Sequence, residues 1–270
     1  MNICELPLAI PTFDEKNRIS LGEGNTPLIK SKEIGRQLGL NSLYFKLETV
    51  NPTGSYKDRF AAFAISHMLK EGKNLCVATS SGNTGAALSA YCAAAKIRCV
   101  IAVVDGITQA KTQQMLSYGA ELYEINNFGK DPQVTENTFE LIRKQGDSEN
   151  ASFQISAYKF SPIGMAGVQN IAFELEKQLK TINHIFCPAG GGGLTLSIAN
   201  GFENLLYMKK IDHFPIIHCV QPLGNDTMAS SLRLGLNRGT EVQCKTKISG
   251  LQVPNLLDAD AVITHLKNRN

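Results

Sequence analysis

The sequence predicts an α/β fold with a mainly parallel sheet covered by helices, and three observations carry that prediction. Apolar runs of strand length alternate with segments of helical period along most of the chain. Glycine-containing turns, "NPTGSYK", "SSGNTG" and "GGGG", stand at strand-to-helix junctions, where open parallel sheets collect ligands. The 270 residues, 43% hydrophobic and 19% charged, are enough to bury the core that such a layered fold needs.

In chain order, "SLYFKLE" (42–48) reads as a strand and 58–71 as a helix. "NLCVATS" (74–80) precedes the Ala-rich helix 84–96, and "RCVIAVV" (98–104) precedes a helix over 109–119. "AELYEI" (120–125) precedes a helix over 131–145. Further on, 164–179 reads as one helix, "HIFCPA" (184–189) as a strand and 194–210 as a helix. "FPIIHCVQP" (214–222) is the last strand, and a short helix closes the chain. Strands separated by helices of this length favour parallel pairing. The segment 147–156 reads as a loop and is the candidate domain crossing.

A net charge of +3 with no Lys/Arg block argues against nucleic acid as a partner. No run is long and apolar enough to span a bilayer, and the first residues lack the basic start of a secretory signal. A cytoplasmic location is expected. The cysteines at 4, 76, 92, 99, 187, 219 and 244 form no CxxC pair and sit mostly in apolar runs. Buried reduced thiols explain them better than a disulfide frame or a zinc site. The five histidines lack metal-ligand spacing, and no metal is expected.

Three segments carry candidate chemistry. Pro52 and Gly54 make a turn that places Lys57 in the first turn of a helix. Ser55 can cap that helix. An ordinary lysine is a solvated charge, but one partly desolvated at such a junction becomes an amine nucleophile. Ser80-Ser81-Gly82-Asn83-Thr84-Gly85 opens another helix with exposed N–H groups, a seat for a carboxylate or phosphate, or equally a plain capped turn. Gly190 to Gly193 suit a backbone wrapped around an anion, most plausibly phosphate, or a hinge. Their spacing does not match the dinucleotide fingerprint. A nucleophilic lysine, an anion cradle and a phosphate cup together suit an aldehyde cofactor carrying phosphate, pyridoxal phosphate.

On "LGEGNTPLIK", "NPTGSYKDR", "SSGNTGAA" and "PAGGGGL", from about Gly22 to Pro222, the chain resembles the fold type II (tryptophan-synthase-β-like) pyridoxal-phosphate enzymes, most of all the threonine synthases. Its tetraglycine is more similar to the phosphate cup of serine/threonine dehydratases and serine racemase. The resemblance implies two open, mainly parallel, helix-covered sheets. It implies a smaller mobile domain over 58–155 and a larger cofactor domain over 1–57 and 156–270. It makes Lys57 the Schiff-base and proton-transfer lysine, and Asn83 the contact of the ring hydroxyl. Ser80, Ser81, Gly82 and Thr84 would hold the substrate carboxylate; Gly190, Gly191, Gly192, Gly193 and Leu194 would hold the cofactor phosphate. The family pattern also includes a late strand whose Ser or Thr meets the pyridine nitrogen. Only 77 residues follow Gly193 and none supplies a convincing counterpart, so the expectation is either a truncated form or a chain that lacks that partner. Ala166 stands where a glutamate is common. The implied activity converts O-phosphohomoserine to threonine and phosphate. The alternatives are a serine/threonine dehydratase, a cysteine synthase-type β-replacement, and a non-catalytic paralogue. A small amino acid is the implied substrate and a homodimer the implied assembly. Arg59 could hold an anionic substrate or lie on a helix surface.

Overall fold

The computed structural model describes residues 10–80, 82–104, 106–253 and 255–269. An antiparallel pair comes first, β1 (Leu28–Lys30) and β2 (Tyr44–Lys46), joined through the short helix α1 (Glu33–Gln37). Helix α2 (Lys57–Lys70) follows. Strands β3 (Leu75–Thr79), β4 (Arg98–Val104), β5 (Glu121–Ile125) and β6 (Ala151–Gln154) then alternate with α3 (Asn83–Ala95), α4 (Gln109–Ser117) and α5 (Pro132–Gly146). They form one sheet in the order β5-β4-β3-β6, with every pair parallel.

Sequence chemistry explains these elements locally. Helix α3 is apolar almost all round, so it is buried rather than amphipathic: Ala86, Ala87, Leu88, Tyr91 and Cys92 are sealed from solvent. Strand β3, central in its sheet, buries Cys76, Val77 and Ala78 in succession, as a strand covered on both faces must. Helix α5 starts where "DP" places it. Pro132 fits the first helical position and the Asp131 carboxylate accepts the Val134 N–H at 2.9 Å.

The chain continues through α6 (Pro162–Val168), α7 (Asn170–Gln178), β7 (His184–Pro188), α8 (Gly193–Tyr207), β8 (Ile216–Val220), α9 (Ala229–Arg233) and α10 (Ala259–Arg269). Strands β7 and β8 pair in parallel as a second sheet. Two sheets with parallel strands are therefore present, but the second holds only two strands among the described residues. No strand follows β8 among them. The outer face of this sheet leaves Phe186, Ile216 and Val220 exposed.

Two local expectations are corrected. Segment 147–156 is not a plain loop, because β6 lies inside it and docks beside β3. The single helix over 164–179 is instead two helices meeting at Gln169. Gln169 is fully buried, with its side chain held by Asn204 and Tyr158. A Cβ on Gly201 would lie 2.8 Å from its carbonyl oxygen. Only glycine at 201 lets α8 pack this closely at the junction.

Helix α2 runs through the centre, burying Phe60, Ala61, Ala62, Ala64, Ile65 and Met68. Each large side chain sealed there stabilises the fold by about 1.5–3 kcal/mol. Helix α6 reaches it through glycine: a Cβ on Gly167 would lie 2.5 Å from the Arg59 carbonyl oxygen. Among the described residues, no helix is long and apolar enough to cross a membrane.

Candidate active site

The turn before α2 is folded back onto the helix it precedes. Gly54 takes the left-handed φ of +90° that glycine adopts without strain, and its N–H donates to Asn51 O at 2.8 Å. The buried Asp58 carboxylate accepts the Thr53 N–H at 3.0 Å and the Thr53 hydroxyl at 2.8 Å. Burial pushes its carboxyl pKa up, and the Thr53 bonds oppose that shift only in part. Ser55 Oγ accepts the Lys57 N–H at 3.3 Å, but Tyr56 holds the N-cap position and no side chain caps the helix, so the expected Ser55 cap is not formed. Lys57 is the first residue of α2, half-buried. Its Nζ donates to Ser156 Oγ at 2.6 Å and stands 4.5 Å over the Tyr56 ring.

Ser156 also meets the second segment, its hydroxyl lying 2.8 Å from Thr84 Oγ1. At the start of α3, Ser80 Oγ accepts the N–H groups of Gly82 at 3.2 Å and Gly85 at 2.8 Å. Ser80 therefore closes the turn. Gly85 is needed because a Cβ there would lie 2.5 Å from Met115 Sδ. Asn83, the first residue of α3, has no side-chain hydrogen-bond partner among the described residues, although it is half-buried. Ser81 lies outside the described residues.

The third segment links β7 to α8. Gly192 adopts φ +97° just before the helix, a conformation that disfavours a side chain. The N–H groups of Gly190, Gly191, Gly192, Gly193 and Leu194 meet no acceptor among the described residues. Five consecutive free donors at a helix N-terminus are an anion seat. The loop is also tightly packed. Cβ atoms on Gly190 to Gly193 would lie 2.8–2.9 Å from Val253, Leu257, Val262 and Met165. Glycine is thus favoured by the close neighbours along the loop and, at Gly192, also by the positive φ. Ser156 reaches here too: its carbonyl oxygen is 3.2 Å from where a Gly193 Cβ would stand.

Lys57, Thr84 and the tetraglycine therefore converge on one residue that the sequence did not flag. A second unflagged residue is Asp258, buried just before α10. Its N–H donates to Gly191 O at 3.0 Å, and its carboxylate accepts from the N–H groups of Tyr158 at 2.9 Å and Lys159 at 3.2 Å. Burial raises its pKa, while those N–H groups and the Lys57 charge draw it down. Neither residue belongs to a recognisable local pattern; each arrives from far along the chain.

Arg59 is neither a substrate clamp nor a surface charge. It is 2% exposed and bound by two carboxylates, Glu48 through Nε and Nη2 at 2.8 Å each and Glu174 at 2.5 and 2.9 Å. Lys46 Nζ adds a 2.6 Å contact to Glu174. Burial pushes the Glu174 carboxyl up, but Arg59 and Lys46 outweigh it and hold the pKa at about 2. This network ties β2 and α7 to the first turn of α2, two residues from Lys57. A separate cleft of about 420 Å³ opens between the N-terminal segment, α2 and α7. Arg18, Glu23, Phe63, Phe173 and Lys177 line it, and it includes neither Lys57 nor the glycines.

An amine hydrogen-bonded to one hydroxyl, an amide without a partner among the described residues at the start of one helix and five unpaired N–H groups at the start of another form a donor set suited to a phosphorylated aldehyde. Together with the parallel α/β frame they define a cofactor-dependent α/β protein. The chain belongs to the pyridoxal-phosphate dependent enzyme family, whose profile matches residues 19–268. It is 29% identical over 228 residues to a threonine synthase of Methanocaldococcus jannaschii, covering 83% of this chain and 54% of that protein. It is 32% identical over 197 residues to a threonine synthase of Halalkalibacterium halodurans, covering 72% and 52%. The chain thus spans about half the length of these curated relatives. Among solved structures, serine racemase from Dictyostelium discoideum superposes with a TM-score of 0.69 at 26% identity, covering 88% of this chain and 72% of that one. An L-serine ammonia-lyase from Rhizomucor miehei shares the fold, with a TM-score of 0.73 at 22% identity over 90% and 73%.

Proposed function

We propose that the chain is a pyridoxal-phosphate-dependent lyase of the threonine synthase type, converting O-phosphohomoserine and water to threonine and phosphate. The observation that carries this reading is the convergence of Lys57, Thr84 and Gly193 on Ser156. The relatives named threonine synthase support the choice of substrate.

The free N–H groups of Gly190 to Leu194 would grip the cofactor phosphate. The Asn83 amide would meet the ring hydroxyl. The start of α3, with Gly82, Thr84, Ser81 and the Ser80 hydroxyl, would seat the substrate carboxylate against the helix dipole. When bound, the cofactor supplies the electron sink that eases loss of the Cα proton. Lys57 Nζ would take that proton and move protons at Cβ and Cγ as phosphate leaves from Cγ and water adds at Cβ. Ser156 would aim the amine, and tight packing around the cup would exclude water. Residues 58–155 would act as the smaller domain closing over 1–57 and 156–270, within a homodimer.

A serine or threonine dehydratase is the second reading, favoured by the tetraglycine and the likeness to serine racemase. Phosphate release from O-phosphohomoserine supports the first reading, and 2-oxobutyrate formation from threonine supports the second. Turnover of neither substrate by cofactor-loaded protein would sink both and leave a binding protein.

A further inference from the structure

The main core holds a cluster that the proposed reaction does not use. Cys76 on β3, Cys92 on α3 and Cys99 on β4 are 0%, 0% and 5% exposed. Their sulfurs all lie within 4.8 Å of one another. Cys76 and Cys99 face each other in register across neighbouring parallel strands, and Cys92 closes the triangle from the helix above. Buried Cys187 and half-buried Cys219 are also in register, but no third ligand joins them among the described residues.

A free cysteine in a core usually serves as a small hydrophobe, and one such residue would mean nothing. Three sulfurs from three rigid elements aimed at one point are a different arrangement. Around a metal with a bond length near 2.3 Å, three coplanar thiolates stand about 4 Å apart. Less than about 1 Å of contraction converts the observed triangle to that geometry. A structural zinc takes four ligands, and no fourth Cys, His or carboxylate joins the group among the described residues. The Ser89 hydroxyl nearby already donates to Gly85 O at 2.7 Å. Thiolates select soft ions.

We propose that Cys76, Cys92 and Cys99 form a three-coordinate thiolate site for a soft d10 metal ion, with Cu(I) the type member. Each thiol binds as thiolate and releases its proton to solvent, so no oxidant or reductant is involved. Because each ligand gives up a proton on binding, binding strengthens as pH rises. The ion would clamp α3 to β3 and β4, and α3 carries Asn83 and Thr84 at its other end.

The test uses reduced full-length protein titrated with Cd(II), a redox-silent ion of the same softness. A sulfur-to-cadmium charge-transfer band should saturate at one equivalent. It should vanish in Cys92→Ala and persist in Cys187→Ala and Cys244→Ala. Cu(I) delivered from a coloured chelator should bind with the same stoichiometry. In case Cys92→Ala fails to fold, maleimide labelling of wild-type protein during partial opening gives an independent reading. With metal at about ten times its Kd, labelling of Cys76, Cys92 and Cys99 should fall about tenfold while Cys244 is unchanged. Absence of a one-equivalent band, a band that survives Cys92→Ala, or equal labelling with and without metal would each overturn the site.

Discussion

Replacing Glu174 with glutamine tests the charge network that fixes the first turn of α2. The carboxylate is 15% exposed and bound by Arg59, Lys46 and the Asn25 N–H. Its pKa falls from the ordinary 4.5 to about 2. A depression of that size corresponds to about 3 kcal/mol of stability carried by the charged form. Glutamine mimics the protonated carboxyl, so Glu174→Gln should be less stable than wild type by about 3 kcal/mol at neutral pH. The pH dependence has a fixed sign. A carboxyl with a lowered folded pKa stabilises fully above its unfolded pKa and loses that contribution as pH falls toward the folded value. The gap should therefore be constant above about pH 5.5, narrow by about 1.4 kcal/mol at pH 3.5, and close toward pH 2. Urea midpoints of both proteins across this range measure it. With a slope of about 3 kcal/mol per molar, the neutral-pH shift is about 1 M. A gap that does not change with pH, or a variant as stable as wild type, would refute the ion-pair account.

Other substitutions test the packing and the turn. Gly167→Ala places a methyl 2.5 Å from the Arg59 carbonyl oxygen and 2.5 Å from the Phe63 ring. Pushing α6 away from α2 should cost about 2–3 kcal/mol, seen as a lower Tm. Ser80→Ala removes the acceptor of the Gly82 and Gly85 N–H groups. It should cost about 1 kcal/mol in urea unfolding, with the larger effect on saturation by the amino-acid substrate. Lys57→Ala loses the side-chain hydrogen bond to Ser156. Its Tm without cofactor should change little, whereas the visible absorbance gained on adding pyridoxal phosphate should be lost.

Much of this fold was legible because its strands and helices announce themselves locally. The Ala-rich α3, the "DP" start of α5 and the β4 run all lie within a residue or two of where the sequence puts them. Strand β6 was not legible. "ASFQ" is short and half polar, and it is the edge strand of its sheet, paired on one side only, with β3. The break at Gln169 is invisible too, since what surrounds it, Tyr158, Asn204 and the close-packed Gly201, comes from other parts of the chain. Both glycine-containing helix N-termini could be read because each combines turn residues with a strand end; the lysine turn could be read from Pro52 and Gly54 alone, since β2 ends at Lys46 in the antiparallel pair and does not lead directly into it. Ser156 and Asp258 could not, because nothing near them in sequence marks them. They matter through contacts with residues 99 and 67 positions away, Lys57 and Gly191. Arg59 shows the converse: its sequence setting left a substrate role open, and burial between Glu48 and Glu174 removes it.

The central claim is that the Lys57 amine and the amides of residues 190 to 194 face one cofactor. Incubating the protein with pyridoxal phosphate, reducing it with borohydride and mapping the modified peptide by mass addresses this directly. The account predicts one adduct per chain, on Lys57, suppressed when inorganic phosphate competes for the glycine amides. Adducts scattered over exposed lysines such as Lys30 and Lys180, with Lys57 unmodified, would contradict it.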